Sequence, residues 1–96
     1  MEYNIYINIM EFEFDPGRSA ANKARRGIDF VEAQALWDDP GLIEIPVRIV
    51  DEPRFLVIGR IAETHWSGII TYRDSRVRII SVRHSRKEEV SIYEGE

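Results

Sequence analysis

The side chains best suited to bind an anion are concentrated near the C-terminus, where Arg76, Arg78 and Arg83 are interleaved with aliphatic residues. Guanidinium groups on a rigid strand can hold a phosphate or carboxylate through forked hydrogen bonds. Alternation predicts two faces that each mix apolar and cationic groups, Val77, Ile79, Ser81 and Arg83 on one and Arg76, Arg78, Ile80 and Val82 on the other. The alternative interpretation is that these arginines only protect a strand near an edge of the sheet.

The charge distribution favours a localised basic site although the net charge is −4. Residues 17–27 carry four bases and no acid, and residues 54–87 carry eight bases and two acids, whereas the other segments are acidic. If the two cationic segments meet in space, they form a basic concavity on an acidic body. The acidic surface would then be free to meet a basic protein partner.

Composition excludes several kinds of site. The chain has no cysteine, which excludes disulfides, thiolate nucleophiles and thiolate zinc sites. The two histidines, His65 and His84, lack the spacing of a local metal-ligand pair, so we expect neither a metal ion nor a cofactor. No apolar run is long enough for a transmembrane helix, and we expect a single cytoplasmic domain over residues 1–96.

The N-terminal part predicts extended structure followed by two helices. Apolar residues alternate over residues 1–9 and again over 10–15, but their parity slips between the runs. Either a bulge joins them into one strand, or residues 1–9 are an appended strand or extension. Ser19 is the predicted cap of a helix over 20–26 that ends at Gly27, and Asp29 and Glu32 form a predicted capping box for a second helix.

The C-terminal part predicts a sheet. Strand-like runs cover residues 42–50, 54–62, 66–72 and 76–83, and the turns between them are too short for parallel crossovers. A last helix is predicted over 85–93, where Ser85 and Glu88 have the spacing of a capping box. The order β-α-α-β-β-β-β-α predicts an α+β domain with an antiparallel sheet and with helices mainly on one face.

An ordered set of short motifs runs through residues 10–94, namely Phe12-Glu-Phe-Asp-Pro16, Asn22, Gly27-Ile-Asp-Phe30, Glu32-Ala33, Asp39-Pro40, Glu52, Arg54, Gly59, Thr71, Arg73, Arg78-Ile-Ile-Ser-Val-Arg83, Glu89 and Tyr93-Glu94. Together these motifs resemble the BrnT family of bacterial toxins. The resemblance implies a small RelE-like fold and a ribonuclease activity that arrests translation. It also implies neutralisation by a BrnA-like antitoxin with a ribbon-helix-helix domain, so that operator DNA is reached only through the antitoxin in a heterotetramer.

The motif after Asn22 departs from the family pattern. The resemblance implies Asn-x-x-Lys-His-Gly, whereas this chain has Asn22-Lys-Ala-Arg25-Arg26-Gly27. An imidazole exchanges a proton near neutral pH and a guanidinium does not. Arg26 can therefore replace the family histidine as a phosphate ligand but not as a general acid or base.

The resemblance leads to a predicted site that cleaves RNA through its own 2′-hydroxyl, without a metal ion. The residues assigned to catalysis are Arg73, Arg83, Arg26 and Glu52, and those assigned to RNA binding are Arg25, Lys23, Arg54 and Arg78. The candidates for proton transfer are Glu52, His84 and Tyr93, of which Glu52 matches the family pattern. The alternative hypothesis, favoured by Arg26 and the acidic net charge, is a catalytically weakened homologue that acts mainly as the antitoxin-binding half of an autorepressor complex.

Overall fold

The computed structural model describes residues 10–96, so the predicted strand or extension at residues 1–9 lies outside the described residues. In chain order the elements are β1 (Phe12–Glu13), α1 (Pro16–Arg26), a 3-10 helix (Glu32–Asp38), β2 (Ile43–Arg48), β3 (Arg54–Ile61), β4 (Thr64–Arg73), β5 (Arg76–His84) and α2 (Lys87–Glu94). The predicted α+β class is confirmed, although the second helix is a 3-10 helix. No described helix is both long and apolar enough to cross a bilayer.

The five strands form one sheet in the order β1-β5-β4-β3-β2. The pairs from β2 to β5 are antiparallel, as predicted, because their connections are too short for a crossover. β1 runs parallel to β5, with Phe12 opposite Val77 and Glu13 opposite Arg78. The prediction of a purely antiparallel sheet is therefore wrong at this edge, since the long chain between β1 and β5 leaves room for a parallel return.

One face of the sheet packs on the hydrophobic core. The strands contribute side chains that are at most 2 % exposed, Val57, Ile70, Val77, Ile79 and Val82. The segment after α1 covers them with Ile28, Phe30, Ala33 and Leu36. Because these apolar groups leave water together, their burial holds the sheet against this layer.

A β-bulge in β5 changes which side chains share a face. Residues 79 and 81 of β5 lie opposite consecutive residues of β4, so Ile80 is an extra residue in the ladder. One extra residue reverses the alternation beyond it. The predicted division of β5 is therefore wrong: Val77, Ile79 and Val82 share the core face, and the opposite face, called the outer face, carries Arg76, Arg78, Ser81 and Arg83.

α1 begins at Pro16 rather than at residue 20. The Asp15 carboxylate accepts a hydrogen bond from Arg18 N at 2.9 Å, and proline fits the first helical turn, where its missing N–H is not needed. Ser19, the predicted cap, is instead buried within the helix, and its Oγ accepts a hydrogen bond from Phe30 N at 2.9 Å. Gly27 ends the helix, as predicted, with a left-handed φ of 86°.

The predicted capping box of the 3-10 helix is present, whereas that of α2 is displaced by one residue. Glu32 N donates to Asp29 Oδ1 at 2.7 Å, and Asp29 N donates to Glu32 Oε1 at 2.9 Å. Before α2, Arg86 N donates to Glu89 Oε1 at 2.8 Å. The prediction of a cap by residues 85 and 88 is therefore wrong, because Glu89 is the carboxylate that reaches back.

α2 packs on the outer face of the sheet. Its Glu89 contacts the side chains of Ser67 and Arg83, which lie opposite each other on neighbouring strands. The 3-10 helix lies on the core side, and α1 lies along β5. The prediction of helices mainly on one face is therefore wrong for α2, which leaves only part of the outer face open.

Candidate functional site

Two adjoining hollows border β5 on its outer face and beside α1. The first, called the glutamate hollow, has a volume of about 180 Å³ and is lined by Arg18, Glu52, Arg54, Arg73, Arg78, Ile79 and Ile80. The second, called the arginine hollow, has a volume of about 440 Å³ and is lined by Arg18, Ala21, Asn22, Arg25, Arg26, Ile80, Ser81, Val82, Arg83 and Arg86. Arg18 and Ile80 line both hollows, so the two adjoin, and together they are called the groove.

Asn22 fixes α1 beside the part of β5 that β1 does not reach. Its Nδ2 donates to Ile28 O at 2.7 Å and to Val82 O at 3.0 Å, and Val82 N donates to Asn22 Oδ1 at 3.2 Å. The side-chain amide thus takes the place of a neighbouring strand for the Val82 peptide groups. The last turn of α1, with Arg25 and Arg26, is held at the groove as a result.

In the glutamate hollow a carboxylate lies between guanidinium groups. Glu52 Oε1 accepts a hydrogen bond from Arg73 Nη2 at 3.0 Å, and Glu52 Oε2 lies 3.6 Å from Arg54 Nη2. The hydrogen bond from Arg73 is the main cause that lowers the pKa of Glu52, so this carboxylate is ionised at neutral pH. From β1, Glu13 Oε1 lies 3.8 Å from Arg78 Nη1 and 4.0 Å from Arg73 Nε. The hollow thus combines anion-binding groups with a weak base.

The turn before β3 holds Glu52 over the outer face. Asp51 has a left-handed φ of 63°, and the Pro53 carbonyl accepts a hydrogen bond from Thr71 Oγ1 at 2.6 Å. Thr71 is buried in β4 and lies opposite Arg78 in β5. The hydrogen bond from Thr71 therefore anchors the turn that carries Glu52. Because Thr71 is paired with Arg78, this turn lies beside the point where Arg78 enters the hollow.

The arginine hollow has a different charge balance. Within residues 10–96, the side chains of Arg18, Arg25, Arg26 and Arg86 form no ion pair, and all four are exposed. Like charges that are held together favour the binding of an anion. In the same part of the chain, no three histidine, aspartate or glutamate side chains cluster as a metal site would require.

Arg83 borders the arginine hollow, but its guanidinium fork already has a partner. Nη1 and Nη2 donate to the two oxygens of Glu89 at 2.7 and 2.8 Å. Ser67 Oγ also donates to Glu89 at 2.9 Å, and the Arg86 N–H completes the set. These bonds lower the pKa of Glu89 to about 2, and the hydrogen bonds from Arg83 have the largest effect. The pair joins α2 to the sheet, so a phosphate would have to compete with Glu89 for Arg83.

Lys23 and His84 lie away from the groove. Lys23 Nζ pairs with both oxygens of Glu32, at 2.9 and 3.0 Å, and Lys23 is the one residue assigned to catalysis or RNA binding that lines neither hollow. The His84 ring stacks on Trp66 with a centroid separation of 4.1 Å, at a position of β5 that shares the core face. Neither of the two lines the groove.

Tyr93 belongs to a third hollow, between the 3-10 helix, β3 and α2. Its hydroxyl donates to Asp39 Oδ2 at 2.7 Å, and this bond raises the pKa of Tyr93. Asp39 also accepts hydrogen bonds from Arg60 N and Gly41 N, both at 2.8 Å. Tyr93 therefore helps to tie three elements together, and Glu52 is the only one of the three proposed proton-transfer residues that lines the groove.

Arg18 and Arg86 are groove residues that sequence reasoning missed. Arg18 was placed before the predicted helix, but the helix begins at Pro16. Positions 18, 22 and 25 then share one helical face, with the spacing of four and three residues that brings side chains together. This spacing is the signal that could have found Arg18. Arg86 carries no such signal, since its place depends on how α2 packs.

The sequence matches a family model over residues 14–89, and the model is described as the ribonuclease toxin, BrnT, of a type II toxin-antitoxin system. The chain belongs to the BrnT family. The resemblance seen in the short motifs is thereby confirmed. None of the curated proteins matches the chain. Every residue that lines the groove falls within the BrnT match, and membership of a type II toxin-antitoxin family implies a protein antitoxin as partner.

Proposed function

We propose that this BrnT chain is an endoribonuclease that cleaves RNA at the glutamate hollow without a metal ion. The observation that carries the proposal is the meeting of Arg54, Arg73 and Arg78 around the Glu52 carboxylate. Guanidinium groups bind phosphate through forked, charge-assisted hydrogen bonds. The match to a family of ribonuclease toxins supports the RNA backbone as the source of that phosphate.

In the proposed reaction the 2′-hydroxyl of RNA attacks the adjacent phosphorus. A bond forms between the 2′-oxygen and phosphorus, the bond from phosphorus to the 5′-oxygen breaks, and a 2′,3′-cyclic phosphate results. Glu52 accepts the proton of the 2′-hydroxyl, and water supplies a proton to the departing 5′-oxygen. Arg73 and Arg78 stabilise the additional negative charge of the phosphorane.

The low pKa of Glu52 makes it a weak base, so alignment and charge stabilisation supply most of the rate enhancement. The sequence also assigns Arg26 and Arg83 to catalysis, and both border the arginine hollow rather than the glutamate hollow. Their direct part in the chemistry stays a prediction, as do the RNA-binding roles of Arg25 and Lys23.

We further propose, from the family resemblance, a RelE-like fold, arrest of translation and neutralisation by a BrnA-like antitoxin. The antitoxin would dimerise through its ribbon-helix-helix domain, bring the toxin to operator DNA and so form a heterotetramer. The acidic segment at residues 28–53 is available to a basic region of such a partner. Light scattering of the copurified pair should give a two-to-two complex, and a one-to-one mass would contradict this assembly.

A second candidate function is an antitoxin-binding protein with little catalytic activity. Two observations favour it: no histidine lines either hollow within the described residues, and Arg83 is already paired with Glu89. In this case the chain binds the antitoxin in a repressor complex, and the purified protein does not cleave RNA.

The deciding experiment compares cleavage of RNA by the purified wild type and by Arg73→Gln and Glu52→Gln, with growth after controlled expression measured beside it. Arg76→Gln is the matched control, because Arg76 lies opposite Arg73 on the next strand and lines neither hollow. The proposal expects Arg73→Gln to lower kcat/KM about a hundredfold. It expects the control to cleave like the wild type.

The same experiment separates the two candidate functions. Cleavage by the wild type that is lost in Arg73→Gln supports the nuclease. A folded wild type that neither cleaves RNA nor arrests growth, together with arrest by Arg26→His, supports the antitoxin-binding protein. Equal cleavage by the wild type and Arg73→Gln would contradict the assignment of the glutamate hollow.

A further inference from the structure

We propose that the arginine hollow is a second phosphate-binding subsite, which holds a phosphodiester further along the RNA strand from the one that is cleaved. This inference rests on the proposed function, because it assigns cleavage to the glutamate hollow. It makes Arg25, Arg26 and Arg86 substrate-binding residues, and it gives Arg18, at the boundary of the two hollows, a contact with both ends of the bound segment.

The two hollows lie at different levels of the sheet. Arg78 enters the glutamate hollow and Arg83 borders the arginine hollow, and their partners in β4 are Thr71 and Ser67. Four steps along a strand correspond to about 13 Å. Each hollow can therefore take its own anion, and the lining that both share at Arg18 and Ile80 lets one flexible chain with repeated negative charges occupy both.

The charge balance of the hollows assigns them different tasks. The glutamate hollow contains Glu52, which can accept a proton from the attacking hydroxyl. The arginine hollow contains no carboxylate among its lining residues, and the one that approaches it, Glu89, is held by Arg83. A cationic site without a base suits binding and not proton transfer. The presence of arginine rather than histidine at position 26 fits this task, because a guanidinium keeps its charge at any physiological pH.

The lining also indicates which part of RNA is held. Among the described residues that line the arginine hollow there is no aromatic side chain on which a base could stack. Arginine contacts with phosphate position a nucleic acid without reading its sequence. The subsite therefore adds affinity for longer RNA, whatever bases follow the cleaved bond.

The test measures binding separately from cleavage. A 2′-O-methyl oligoribonucleotide lacks the attacking hydroxyl, so its dissociation constant can be measured at several salt concentrations by fluorescence anisotropy. The variant is the double substitution of Arg25→Gln and Arg26→Gln, both exposed and without an ion pair within residues 10–96, so the fold should be unaffected. Arg76→Gln is again the control, and unfolding midpoints check the fold of each.

We expect the double variant to bind the oligonucleotide about tenfold more weakly than the wild type. The logarithmic slope of its salt dependence should fall by about 0.7 for each phosphate that the variant no longer neutralises. With cleavable RNA, the double variant should lose kcat/KM mainly through a higher KM. Arg73→Gln should lose it mainly through kcat.

The outcomes distinguish this inference from the proposed function. Unchanged affinity and salt slope in the double variant would overturn the second subsite, whether or not the wild type cleaves RNA. Weaker binding by the double variant, combined with no cleavage by the wild type, would support the subsite and overturn the nuclease. If the double variant loses kcat/KM through kcat alone, Arg25 and Arg26 act in catalysis and not in substrate binding, and the subsite is overturned.

Discussion

Two arginine–glutamate pairs on the outer face, Arg83–Glu89 and Arg73–Glu52, have the same chemistry in different surroundings. The Glu89 side chain is 11 % exposed and binds both terminal nitrogens of Arg83. The Glu52 and Arg73 side chains are 41 % and 50 % exposed and share one short contact. Water competes weakly with a buried pair and strongly with an exposed one. The first pair therefore belongs to the fold, whereas the second can exchange its partner for a phosphate.

The comparison shows that an arginine in a basic strand can be identified as a phosphate-binding residue only when the carboxylate that pairs with it is known. Arg83 and Arg73 both match the family motifs, and both were assigned to catalysis from the sequence. Glu89 differs from Glu52 because it also accepts hydrogen bonds from Ser67 and from a backbone N–H. These additional donors make the Arg83 contact difficult to displace.

The largest expected effect comes from breaking the buried pair. Arg83→Ala should reduce the free energy of unfolding by about 3 kcal/mol, because it leaves the Glu89 carboxylate without its main partner. Urea denaturation of the purified protein measures the loss. Arg76→Ala is the control, since its exposed pair with Glu11 should contribute less than about 1 kcal/mol. Similar losses in both variants would contradict the distinction between the two pairs.

The pH dependence of stability should follow the same pair. The pKa of Glu89 falls from its usual 4.5 to about 2 on folding, so the folded state favours the ionised form. The resulting stabilisation, ~3 kcal/mol, is complete above pH 4.5 and is lost as the pH falls from 4.5 towards 2. Denaturation curves across this range should show the decline, and Glu89→Gln should flatten it. An equally steep decline in the variant would assign the effect to other carboxylates.

The exposed pair should show the opposite pattern, with a small effect on stability and a large one on activity. Arg73→Gln should change the free energy of unfolding by less than about 1 kcal/mol. This expectation is checked on the protein that is used for the cleavage assay. If Arg73→Gln unfolds as easily as Arg83→Ala, then a loss of cleavage in it reports on the fold and not on phosphate binding.

A smaller change within the buried pair, Ser67→Ala, sharpens the comparison. Ser67→Ala removes the hydrogen bonds of the Ser67 hydroxyl with Glu89 and with Ser85, and it keeps the Arg83 contact. We expect a loss of about 1 kcal/mol in the free energy of unfolding. Thr64→Ala, at the half-buried first position of the same strand, should change it by less than half of that, and the two denaturation curves can be compared directly. A neutral Ser67→Ala would mean that Arg83 and the Arg86 N–H hold Glu89 without help from Ser67.

Local features of the fold were predictable because they depend on neighbouring residues. The antiparallel strands, the Gly27 helix stop and the Asp29–Glu32 capping box follow from turn chemistry and short spacings, and all are present. The start of α1 was missed because Ser19 also has the chemistry of a cap. The helix begins at Pro16 with Asp15 as its cap, since proline is tolerated only in the first turn of a helix.

The candidate site was predictable in its residue types and only partly in its arrangement. Arg54, Arg73, Arg78 and Glu52 are brought together as predicted. Lys23, which lies in a basic segment, was also assigned to RNA binding, and in the structure Glu32, across the turn, pairs with it. Charge counts along a sequence do not contain the information on which acid folds back onto which base.

By itself the sequence determined the family, the strands and the presence of two cationic segments, because motifs, alternation and composition are local properties. Only the tertiary structure decided how those cations are used. The extra residue at Ile80 turned Arg78 and Arg83 to the same face, and the packing of α2 gave Arg83 to Glu89 while Arg25 and Arg26 stayed exposed. A bulge and a long-range ion pair depend on energies shared between distant residues, which no local pattern records.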